Sequence, residues 1–83
     1  HPSLMRQRKP ALVITFDTTS QAMAAEALLQ NGGLPGRMIP LPSQIAAGCG
    51  LAWKALPEER DILCAALDAA GTVYGGCFIL EMY

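Results

Sequence analysis

The chain has 83 residues, 52% hydrophobic and 16% charged, with a formal net charge of -1. That describes one small domain with a thin core, too apolar to be disordered. Basic charge is concentrated in Arg6, Arg8 and Lys9, so the remainder is mildly acidic and offers no basic face for nucleic acid. No apolar run approaches the ~20 residues of a membrane span.

The expected organisation is a flexible basic tail over residues 1–10 and a single domain over 11–83. Three cysteines, Cys49, Cys64 and Cys77, are odd in number and far apart. That argues against a secreted disulfide scaffold and for a reducing cytoplasm.

Residues 11–16 alternate as a first strand, with Leu12, Ile14 and Phe16 on one face and Val13 and Thr15 on the other. Thr18 with Gln21 reads as a capping box opening a helix through about Gln30. Its expected buried stripe is Met23, Ala24, Ala27, Leu28 and Leu29, and Asn31-Gly32-Gly33 stops it. Arg37 to Leu41 is a second strand, cut off by Pro42. A glycine-flanked cysteine loop follows, then a third strand from Leu51 to Ala55.

Pro57, with Glu58 and Glu59 beside the positive end, opens a second helix. Ile62, Leu63, Ala66, Leu67 and Ala70 form its expected buried stripe, and Gly71 ends it. Val73 to Met82 is the final strand, apolar on both faces. The order β-α-β-β-α-β with short connections predicts an α+β sandwich of the ferredoxin-like kind. Two helices would cover one face of a four-stranded antiparallel sheet, with the first and third strands central and the second and fourth at the edges. An apolar edge strand is best covered by a second subunit, so a homodimer through the sheet is expected.

Chemistry is expected first at Cys49. Gly48 and Gly50 let the backbone turn and leave the sulfur uncrowded. Convergent N–H groups of the loop, or the charges of Arg37 and Lys54 on the flanking strands, would favour its anion. Cys64 and Cys77 read as core packing. There is no CxxC pair, and the thiols are too dispersed for a zinc or iron–sulfur site, so no metal and no cofactor is expected. Trp53 reads as sheet packing and not as a base-stacking platform.

His1 is the sole histidine, so no general base is expected beside the thiol, as a nucleophilic enzyme would need. A lone accessible thiol can instead accept a sulfane sulfur or a selenium atom and pass it on by exchange. The alternative is a non-catalytic protein-interaction or small-ligand regulatory module in which the cysteine loop is a packing feature.

The runs Asn31-Gly32-Gly33-Leu34-Pro35-Gly36, Arg37-Met38-Ile39-Pro40-Leu41-Pro42 and Gly48-Cys49-Gly50-Leu51-Ala52 together resemble a small bacterial domain described as putative Se/S carrier protein-like. The resemblance covers about residues 11 to 81. It implies that Cys49 is the family's distinctive cysteine before the third strand and Arg37 its second-strand arginine. It also implies donor and acceptor proteins as partners.

Overall fold

The computed structural model describes residues 9–43, 45 and 48–82. The expected basic tail falls largely on residues 1–8, outside the described residues. The elements run β1 (Lys9–Thr15), α1 (Thr19–Asn31), β2 (Arg37–Pro40), β3 (Leu51–Ala55), a 3-10 turn (Pro57–Glu59), α2 (Arg60–Ala69) and β4 (Gly76–Met82). All neighbouring strands pair antiparallel in the order β2-β3-β1-β4, the ferredoxin-like arrangement. The central and edge positions are those that right-handed crossovers dictate.

β1 starts earlier than its sequence pattern suggests, because Lys9 and Pro10 pair with Met82 and Glu81 of β4. Pairing with β3 begins only at Leu12. Pro10 therefore extends one side of the ladder without interrupting the other.

Both helices are terminated by local chemistry. The Thr18 hydroxyl accepts from the Gln21 N–H at 3.1 Å. The Gln21 side-chain carbonyl oxygen accepts from the Asp17 N–H at 3.0 Å, one residue before the cap and not at the cap itself. At the far end Leu34 N–H bonds Leu29 O at 2.9 Å around Gly33 at φ +67. The end of α2 repeats that geometry, with Thr72 N–H on Leu67 O and Gly71 at φ +69. The start of α2 is delayed: the chain first makes the 3-10 turn, and the Glu59 carboxylate turns back to accept from the Leu56 N–H at 2.8 Å.

The core lies between the helices and one sheet face: Leu12, Ile14, Phe16, Trp53 and Ala55 against Ala22, Ala25, Leu29, Leu63 and Leu67. Trp53 is fully buried, and its indole N–H donates to Pro35 O at 3.0 Å. The expected α1 stripe is corrected here. The helix turns Ala22, Ala25 and Leu29 inward and leaves Met23, Ala24 and Ala27 exposed. Alanines on two faces blur the 3.6-residue period, and the two small inward side chains let α1 approach the sheet. On α2, Leu63 and Leu67 are buried while Ile62 and Ala70 are exposed. The final strand is shorter than expected, since Val73 and Tyr74 precede Gly76 in the connection.

Candidate functional site

Cys49 ends the β2–β3 connection. The β2–β3 ladder closes at Pro40 opposite Leu51, and Leu41 N–H continues it to Gly50 O at 2.9 Å. From there the loop turns toward the end of β1, where Cys49 N–H bonds Phe16 O at 3.3 Å. Its two glycines serve different needs. Gly50 sits at φ +80, the left-handed region that side chains avoid. A Cβ on Gly48 would lie 2.5–2.6 Å from Phe16 O, Asp17 O and Asp17 Cα. The loop thus reaches its position because residue 48 has no side chain.

A third segment arrives at the same place, with Gly75 N–H bonding Thr15 O at 2.7 Å. The end of β1, the cysteine loop and the connection leading into β4 therefore converge beside the N-terminal end of α1. Cys49 is half-buried there and packs against the core margin. Its thiol has a weak contact, 4.0 Å to Leu51 O. Ala47, the first residue of the expected anion nest Ala47-Gly48-Cys49-Gly50, lies outside the described residues, as do Gln44 and Ala46.

The expected cations are elsewhere. Arg37 is the register partner of Lys54, at the opposite end of the β2–β3 pair from Cys49. Lys54 stands three residues beyond Leu51, ~10 Å along an extended strand, and Cys49 lies farther back still. The backbone positions of Arg37 and Lys54 are therefore at the far end of the strand pair from Cys49. Strand direction carries both away from the loop. They instead line a groove of about 450 Å³ with Lys9, Pro35, Leu56 and Glu59.

The structure also brings together two residues that sequence spacing kept apart. Cys64 on α2 and Cys77 on β4 place their sulfurs 3.6 Å from each other. Both are half-buried. Burial, reinforced by a hydrogen bond to Cys64, pushes the Cys77 thiol up to about 11, with Arg60 opposing. Tyr74 is pushed up to about 12, first by its hydrogen bond to Cys64 and then by desolvation. Cys64 is thus the shared neighbour of two groups held protonated. The available signal in the sequence was Cys64 at the border of an inward stripe. Which strand that border meets follows only from the topology.

Among the described residues no cluster of three or more His, Cys, Asp or Glu side chains could hold a metal ion. No described helix is long and apolar enough to cross a membrane. No curated protein and no solved structure matches the chain. Residues 11–79 match the family described as putative Se/S carrier protein-like. The match takes in the cysteine loop, both helices and most of the sheet, so the chain belongs to that family.

Proposed function

We propose that the protein carries sulfur or selenium on Cys49. The observation that carries this reading is the way the loop is held: a part-exposed thiol is fixed at the end of β1 by a glycine that must lack a side chain and another that must adopt positive φ. Its anchor on Phe16 lies just before α1, toward the positive end of that helix's dipole. Family membership supports the same cargo.

The chemistry needs no general base held in the site. The Cys49 thiolate attacks the outer sulfur of a donor persulfide, forming a Cys49 persulfide and releasing the donor thiolate. An acceptor thiolate then attacks that outer sulfur and regenerates the Cys49 thiolate. A selenium atom follows the same path through a selenopersulfide. Donor and acceptor are proteins or small thiols that reach the loop, and the reducing cytoplasm suits a carrier whose resting form is a thiol. Incubation with a persulfide donor should add about 32 Da per sulfur to the protein. Cys49 should take the larger share, so the gain should fall sharply in Cys49→Ser. Equal loading of that variant would overturn the proposal.

A second copy of the chain is the proposed partner at β4. This strand is a sheet edge, and Phe78 and Ile79 on it are 42% and 52% exposed. Edge-to-edge association would cover both the unpaired ladder and these side chains.

A further inference from the structure

We propose that Cys64 and Cys77 are a thiol–disulfide redox couple, separate from Cys49, that reversibly staples α2 to the edge strand β4. The sulfurs stand 3.6 Å apart, and a disulfide needs about 2.05 Å. Closing that gap of about 1.5 Å asks for small rotations about the two side chains. The pair bridges two elements that the chain otherwise joins only through the residues 70–75 connection. Both cysteines are half-buried and not sealed in the core, which gives an oxidant a route to the pair. Cys49 belongs to a different corner of the fold, where its backbone is tied to Phe16.

The surroundings assign roles to the two sulfurs. Burial and the contact with Cys64 hold the Cys77 thiol protonated, which leaves Cys64 as the sulfur that attacks first. Arg60 stands beside Cys77 and favours the charge that sulfur must develop second. The oxidant is a low-molecular-weight disulfide. The Cys64 thiolate attacks one of its sulfurs, forming a mixed disulfide and expelling one thiolate. Cys77 then gives its proton to solvent and attacks the Cys64 sulfur, expelling the second. Two protein thiols and one disulfide yield one Cys64–Cys77 disulfide and two small thiols, with two electrons passing to the oxidant. A dithiol with a raised resolving thiol reacts slowly at neutral pH and faster as the pH rises.

The test is equilibration of the full chain with glutathione disulfide, followed by alkylation of remaining thiols and peptide mapping. The expected product has a cross-linked Cys64–Cys77 peptide pair and an alkylatable Cys49. Treatment with a reductant should restore three alkylatable thiols. The oxidised form should melt about 10 °C above the reduced form, from the constraint placed on the unfolded chain. Cys77→Ser should accumulate glutathione on Cys64, whereas Cys64→Ser should load at Cys77 at least tenfold more slowly. Failure of the wild-type chain to form the cross-link, or a cross-link involving Cys49, would overturn the proposal. That mapping needs no variant and so does not depend on either substitution folding.

Discussion

Gly48 rests directly on the backbone of Asp17: a Cβ at residue 48 would sit 2.6 Å from the Asp17 Cα and 2.5 Å from its carbonyl oxygen. This contact sets the position of Cys49, because the next residue's N–H bonds Phe16 O. Neither neighbour can yield without moving the end of β1.

Gly48→Ala should therefore cost about 1–3 kcal/mol, the usual cost of overpacking. Gly33→Ala is the informative comparison. Gly33 stands at φ +67, and a Cβ added there would meet no atom within 4 Å. The substitution carries only backbone strain of about 1–2 kcal/mol. Urea unfolding measures both. The discriminating readout is the alkylation rate of Cys49, which should change in Gly48→Ala and stay unchanged in Gly33→Ala.

Trp53→Phe should destabilise the chain by about 1–3 kcal/mol, because the fully buried indole is lost and the half-buried Pro35 O loses its donor. The same change should loosen the Pro35-Gly36 turn. Gly36 has φ +109, and a side chain there would collide with the Trp53 ring and Lys54 O. Urea midpoints and amide exchange across residues 34–37 check this.

The Cys77 thiol, raised from 9.0 to about 11, makes stability depend on alkaline pH. The folded state keeps its proton where the unfolded chain has lost it. The contribution is therefore fully present below about pH 9 and is lost as pH rises toward 11. Tyr74, raised from 10.0 to about 12, extends the decline. Urea midpoints under reducing conditions should fall across this window, and Cys77→Ser should flatten its lower part. Thiolate absorbance should show a late-titrating thiol that this variant lacks.

The strand order and antiparallel pairing were legible from the sequence because two helical patterns between four short apolar runs leave one economical arrangement. β3 was legible to the residue, since Gly50 and Pro57 bracket it. The inward face of α1 was not, because Ala22, Ala24, Ala25 and Ala27 give no contrast to read. Cys49 was singled out by its glycines, although their physical reasons proved to be contact with Asp17 at Gly48 and dihedral freedom at Gly50. Flanking a loop in sequence does not say which end of a strand faces it, and the register puts Arg37 and Lys54 at the far end. The Cys64–Cys77 contact depended on how α2 packs over β4, which no local spacing encodes.

Self-association through β4 predicts a dimer in sedimentation at micromolar concentration. Phe78→Asp should then give a folded monomer, since Phe78 is 42% exposed. A wild-type chain that sediments only as an 8.8 kDa species would exclude the dimer. An unfolded Phe78→Asp chain would place Phe78 in the core instead.

The most direct test of the carrier account uses the Cys64→Ser, Cys77→Ser double variant, in which Cys49 is the remaining thiol. Confirmed folded and treated with a persulfide donor, it should gain about 32 Da, corresponding to one sulfur. Peptide mapping should place that sulfur on Cys49, and a small acceptor thiol should remove it and restore the starting mass. A folded double variant that takes up no sulfur, or that holds it irreversibly against excess thiol, would contradict the account.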